Sequence, residues 1–257
     1  GDDEVFTHDQ NNIQLNPLML QGCSASCAEL QIKFDSPNEH LVNIFASNLQ
    51  FDYLFFATSD LKLYALGNND YTQCGLKGEA RIRQCTRVPF FDGKKVKSIA
   101  CGRSFSLFLT DEHLYGVGDN QCSQLGVDST LHFNFTEPII VPNIDAARVK
   151  QIACTSYCAF VLYDNGKVLF AGYNGSEDDL VSEYEYLRFE NKDEIVEKIA
   201  CGSLHTMFLC KSGAVYGYGN NSVSYNFFII NISNKFYQQT FFSKFKLVIP
   251  TVEVTIM

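Results

Sequence analysis

Val96-Lys-Ser-Ile-Ala-Cys-Gly102, Val149-Lys-Gln-Ile-Ala-Cys-Thr155 and Val196-Glu-Lys-Ile-Ala-Cys-Gly202 are three copies of one heptapeptide, spaced 53 and then 47 residues apart. Each copy is followed by a short apolar run: Ser106-Leu-Phe-Leu109, Ala159-Phe-Val-Leu162 and Thr206-Met-Phe-Leu209. A polar turn comes next, Thr110-Asp-Glu-His113, Tyr163-Asp-Asn-Gly166 or Cys210-Lys-Ser-Gly213. A third run closes each unit: Leu114-Tyr-Gly-Val-Gly118, Val168-Leu-Phe-Ala-Gly172 and Val215-Tyr-Gly-Tyr-Gly219. An earlier unit shows its second half in Leu54-Phe-Phe56 and Leu63-Tyr-Ala-Leu-Gly67-Asn-Asn69.

Runs of four or five Val, Ile, Phe and Tyr residues, punctuated by Gly, Asn and Asp, read as short strands joined by tight turns. Asp-Asn-Gly and Lys-Ser-Gly supply the residues that tolerate positive φ in hairpins. The small residues Ala-Cys-Gly predict a strand packed close against its neighbour, which points to Cys101, Gly102, Cys154, Cys201 and Gly202 as structural repeat positions. Gly67, Gly118, Gly172 and Gly219 are expected to end the last strand and turn the chain, a task for a residue without a β-carbon. Units near 50 residues with several short strands suit propeller blades better than solenoid repeats.

The pattern Val-x-x-Ile-Ala-Cys-Gly, then His205-Thr206, then Gly213-Ala-Val-Tyr216 ending in Gly-x-Asn, resembles the regulator of chromosome condensation repeat. The family's Gln-Leu-Gly survives as Gln124-Leu-Gly126 and, altered, as Gln73-Cys-Gly75. The resemblance spans roughly 41–222. It departs at the family's usual Trp before the final Gly, where Leu66, Val117 and Tyr218 stand; the chain has no Trp at all. The resemblance implies an all-β propeller of four-stranded blades. The family ring has seven, and the visible units make an incomplete copy of about four to five. Residues 1–40 read as a degenerate first blade or an N-terminal extension, and 41–222 as the propeller repeats. The absence of a starting Met suggests a fragment. Residues 223–257 contain no Gly, Cys or Asp and are rich in Phe and Ile. Two readings of this irregular segment stay open: translated intron sequence, or an unusual final strand region.

Composition narrows the function. Hydrophobic residues make up 46% of the chain and charged residues 19%, enough for a core and too little charge for disorder. A net charge of −9 disfavours direct nucleic-acid binding, which needs Lys and Arg to displace counterions. No run approaches a membrane span. Ten cysteines suggest a disulfide framework, but three of them share one repeat position. They read instead as reduced core thiols of an intracellular protein in the cytoplasm or nucleus.

No catalytic, cofactor or metal site is expected. Cys23-x-x-x-Cys27 and Cys154-x-x-x-Cys158 lack the second ligand pair of a zinc site. His205 shares its position with Phe105 and Cys158, which points to packing and a local hydrogen bond. The glycines of Tyr115-Gly-Val-Gly118 lack the βαβ context of a dinucleotide loop. The acidic runs Ser176-Glu-Asp-Asp179 and Glu183-Tyr-Glu-Tyr186 are solvated loop or a contact for a basic partner. A long loop at 128–145 is expected on a binding face. The resemblance then implies a protein-binding module, a scaffold or regulatory part of a larger protein. The alternative it implies is a guanine-nucleotide exchange factor for a Ran-type small GTPase.

Overall fold

A computed structural model describes residues 8–9, 12–13, 38–46, 53–173, 180–189, 191–219 and 228–231. A two-stranded hairpin, β1 (His8–Asp9) and β2 (Asn12–Ile13), precedes four sheets of four antiparallel strands. Blade one is β3 (Leu41–Ala46), β4 (Tyr53–Thr58), β5 (Leu63–Asn68) and β6 (Arg81–Arg87). Blade two is β7 (Ser98–Cys101), β8 (Phe105–Leu109), β9 (Leu114–Asp119) and β10 (Asn134–Ile140). Blade three is β11 (Val149–Cys154), β12 (Cys158–Tyr163), β13 (Val168–Tyr173) and β14 (Leu180–Tyr186). Blade four is β15 (Val196–Cys201), β16 (His205–Cys210), β17 (Ala214–Gly219) and β18 (Phe228–Asn231).

Within each sheet the strands lie in chain order, and the first strands β3, β7, β11 and β15 are neighbours from blade to blade. This is a partial β-propeller, with the first strands innermost. We call the end where first and second strands join the upper end, and the end where second and third strands join the lower.

The apolar runs are continuous because both faces of a blade are covered. On β8, Phe105, Leu107 and Leu109 pack with Ala159, Val161 and Tyr163 of β12, while Phe108 turns the other way, towards blade one. Its ring meets that of Phe55 edge-on at 5.1 Å. On β12, Phe160 and Leu162 turn towards blade four, where Phe160 meets Phe208 at 5.7 Å. Among the described residues the core therefore lies between blades, in three clusters. Full burial of one such Leu or Phe contributes about 1.5–3 kcal/mol.

Polar ties reinforce these junctions. The Gln151 side chain behaves like a strand partner: its Nε2 donates to the Ile199 carbonyl at 2.6 Å, and its Oε1 accepts from the Ile199 N–H at 2.9 Å. Ser156 N–H donates to the Ser203 carbonyl at 2.7 Å. The buried Tyr53 hydroxyl reaches from blade one to blade two, 2.8 Å from the Gly102 and Phe105 carbonyls.

Two features differ from the sequence expectation. The third apolar run does not close a unit, because a fourth strand follows it. In β6, β10 and β14 that strand is mostly exposed and bulged, so it carries neither a hydrophobic run nor a clean alternation. The expected loop at 128–145 contains β10. Within 223–257, whose two readings both stay open, β18 pairs with β17 from Ala214↔Asn231 to Gly217↔Phe228 and does not depart from the expectation.

Candidate interaction surface

The upper end is built first by the repeat positions. At the turn from β7 to β8, Gly102 lies beneath the Phe105 ring, and from β15 to β16, Gly202 lies beneath the His205 ring. Phe105 is fully buried, whereas His205 is exposed. Blade three does this differently. Thr155 replaces the glycine, the small Cys158 replaces the ring, and Thr155 Oγ1 accepts from the Cys158 N–H at 2.9 Å.

The glycines expected to end a last strand sit within the third strand or at its end. Gly118 (φ 103°), Gly172 (φ 114°) and Gly219 (φ 128°) lie against the backbone of the first upper turn of the same blade. A β-carbon on Gly118 would fall 2.5 Å from the Ser104 carbonyl oxygen. The next residue uses that same oxygen, Asp119 N–H donating to it at 2.8 Å.

Loops 69–80 and 120–133 join third to fourth strands in blades one and two. Each is organised by a buried asparagine, a role the sequence reading did not assign. Asn120 Nδ2 donates to the Val127 and His132 carbonyls at 2.9 and 2.8 Å, and its Oδ1 accepts from Leu125 N–H at 3.0 Å. Asn69 repeats this with Leu76, Glu79 and Cys74. Gln124 accepts from Cys122 N–H and donates to Asp119; Gln73 accepts from Tyr71 N–H and donates to Asn68. The recurrence of Gly-x-Asn with a Gln four residues on was the available signal. Gly126, ending Gln124-Leu-Gly126, receives the Tyr184 ring of blade three, just as Pro138 of blade two approaches Gly75 at 3.6 Å. Each fourth-strand bulge thus closes over the loop of the preceding blade.

The thiols belong to this framework. All eight described cysteines are free. Desolvation pushes Cys101, Cys158 and Cys201 up to about 12, and Cys154 upward as well. A thiol held protonated is a poor nucleophile and a poor metal ligand. Among the described residues no group of three or more His, Cys, Asp or Glu is placed to hold a metal ion. Cys23 and Cys27 lie outside the described residues, and no described helix is long and apolar enough to cross a membrane.

Exposed apolar side chains accompany the rigid upper loops. Leu131 is 69% exposed and Phe133 65%, with Tyr71 and Leu204 also exposed. Near the axis the exposed Arg103 donates to the Tyr157 hydroxyl at 2.6 Å. The loop holding Leu131 and Phe133 is fixed by Asn120, by Ser129 N–H donating to Ser123 Oγ at 2.9 Å, and by the Asp128 carboxylate accepting from Thr130.

This architecture has known counterparts. The regulator of chromosome condensation (RCC1) repeat model matches residues 62–109, and a second model of the same repeat matches 96–124 and 196–224. Residues 62–124 and 196–224 are RCC1 repeats. The human X-linked retinitis pigmentosa GTPase regulator is 32% identical over 118 residues, 46% of this chain and 12% of the human protein. The mouse RCC1-like G exchanging factor-like protein is 30% identical over 170 residues, 57% of this chain and 37% of the mouse protein. The chain thus spans well under two thirds of either RCC1-repeat relative. Prp20p from Saccharomyces cerevisiae, a structure described with its binding properties to Gsp1p and histones, superposes with a TM-score of 0.60. That similarity covers 83% of this chain and 54% of Prp20p at 20% identity, and it shows the shared RCC1-type fold.

Proposed function

We propose that these RCC1 repeats form a protein-binding module, a scaffold or regulatory part of a larger intracellular protein, which acts by docking a partner rather than by side-chain catalysis. One observation carries the reading: Leu131 and Phe133 are large, apolar and mostly exposed, on a loop whose backbone is fixed by buried side chains. Exposed apolar residues on rigid loops mark interaction sites, because their docking needs little further ordering.

The test is site-specific photo-crosslinking with a benzophenone residue at position 133 and, as a control, at Lys95 of the lower end. The reading requires a defined partner linked from 133 and not from 95. That partner, purified, should bind L131S/F133S at least about tenfold more weakly than the parent, since interface anchors are each worth about 1–2 kcal/mol or more. Equal crosslinking from both positions, or equal affinity of the variant, would overturn it.

A second reading, nucleotide exchange on a Ran-type small GTPase, draws on the mouse exchanging-factor-like relative and on Prp20p. An exchange factor needs no catalytic side chain; it binds the nucleotide-free GTPase more tightly and shifts its equilibrium. Release of a fluorescent GDP from such a GTPase, accelerated by this chain at micromolar concentration, would establish this second reading.

A further inference from the structure

Between blades three and four lies a cavity of about 560 Å³, lined by Phe170, Val181, Glu183, Tyr184, Glu185 and Tyr218 among others. Register explains its position. Phe170 of β13 is equivalent to Ala65 in blade one and Gly116 in blade two. In those blades the loops 69–80 and 120–133 deliver Cys74 and Leu125 into the junction with the next blade. Leu125 sits directly on Gly116. Blade three has only residues 174–179 between its third and fourth strands, without the Gln-Leu-Gly sequence. In blade three the large Phe170 stands at this register position, and with Tyr218 it forms the aromatic wall of the groove.

The chemistry of the groove is one-sided. Phe170 and Tyr218 meet edge-to-face at 5.5 Å and 71°, forming an aromatic corner. Glu183 and Glu185 are exposed at its rim, and among the described residues neither has an ion-pair partner. An aromatic corner beside two carboxylates complements a guanidinium, which stacks on rings and donates to carboxylate oxygens. We propose that this groove receives an arginine side chain of a partner polypeptide. The inference rests on the reading of these blades as a protein-binding module and assigns part of the partner's chemistry.

The probe is a dye-labelled decapeptide of alternating arginine and glycine, followed by fluorescence anisotropy at low salt. E183Q/E185Q should weaken binding about fivefold or more, as expected for losing two exposed charge pairs. D111N/E112Q, which removes the same charge from the lower turn of blade two, should change it less than twofold. Y218F should bind like the parent and Y218L should lose affinity, since the ring face and not the hydroxyl carries the contact. L131S/F133S should bind the peptide normally, which separates this site from the upper loop. Equal losses in the two charge variants would reduce the effect to net charge and overturn the proposal. So would an unchanged affinity in E183Q/E185Q. Failure here, with the crosslink at position 133 intact, would leave the protein-binding reading standing.

Discussion

Gly102 lies so close under Phe105 that a β-carbon on residue 102 would fall 2.0 Å from the ring's Cε1. The same relation joins Gly202 and His205 at 2.4 Å, while blade three substitutes the pair Thr155 and Cys158. Residue 102 and residue 105 are therefore one unit: a ring demands glycine, and a small side chain permits a larger partner.

G102A should destabilise the chain by about 2–3 kcal/mol, the cost of forcing a buried ring out of place. F105C alone should also destabilise, and G102A/F105C should lose less than the sum of the two single variants, because blade three is packed this way by nature. A urea-denaturation cycle over the two single variants and the double decides it. Strict additivity would show that the ring and the glycine are energetically independent.

Asn120 is 0% exposed and makes three hydrogen bonds to backbone groups of its own loop. Asn120→Ala leaves those groups without their partner and should cost about 2–3 kcal/mol. Amide exchange should accelerate across 121–133, while the strands of blades three and four keep their protection. Unchanged exchange in the loop would mean that backbone turns alone hold it.

Tyr184 shows the reverse sign. Its ring fills the space over Gly126, yet its buried hydroxyl has no hydrogen-bond partner among the described residues. Burial raises its pKa well above the ordinary phenol value. Tyr184→Phe keeps the packing and removes the unsatisfied group, so it should stabilise the chain by about 1 kcal/mol. Gly126→Ala should destabilise it, since a β-carbon there would fall 2.2 Å from the ring. A melting temperature lowered in Tyr184→Phe would reveal a hydrogen bond that the structure does not contain.

The desolvated thiols make stability depend on alkaline pH. Cys101, Cys158 and Cys201 are raised from an ordinary value of 9.0 up to about 12, so the folded chain holds these protons more tightly than the unfolded one. Their contribution is complete below pH 9 and is lost as pH climbs from 9 towards 12. The slope should be about 1 kcal/mol per thiol per pH unit. Urea midpoints at pH 7.5, 9 and 10.5 would show it. Replacing Cys101, Cys158 and Cys201 by alanine should shrink the slope, while Cys74, Cys154 and Cys210, also raised by burial, keep the remainder. An unchanged slope would show that these three thiols do not carry it.

The inner and middle strands were legible because burial on both faces writes itself as uninterrupted apolar runs. The first strand of blade one was not: Leu41-Val-Asn-Ile-Phe-Ala46 has Phe45 where the other blades have alanine and Ala46 where they have cysteine. The fourth strands were hidden for a different reason. Each bulge places two extra residues opposite the third strand, so no period survives in Arg81–Arg87 or Leu180–Tyr186. Repeat glycines could be read as positions needing no β-carbon, but their partners could not, because Ser104 and Tyr184 come from elsewhere in the chain. The groove beside Phe170 was not legible, because its wall joins Phe170 and β14 of blade three to Tyr218 of blade four, residues far apart in the chain.

Each hydrophobic cluster among the described residues is shared by two successive blades. The segment that recurs in the sequence is thus out of step with the segment that gains stability. A duplicated gene segment supplies one whole blade but only half of each of two junctions. Selection on a new copy therefore acts first at its seams, where one face must suit the older neighbour before it and the other the neighbour after it. Blades should drift in pairs across their shared boundaries, as Gly102 with Phe105 and Thr155 with Cys158 already have within single blades.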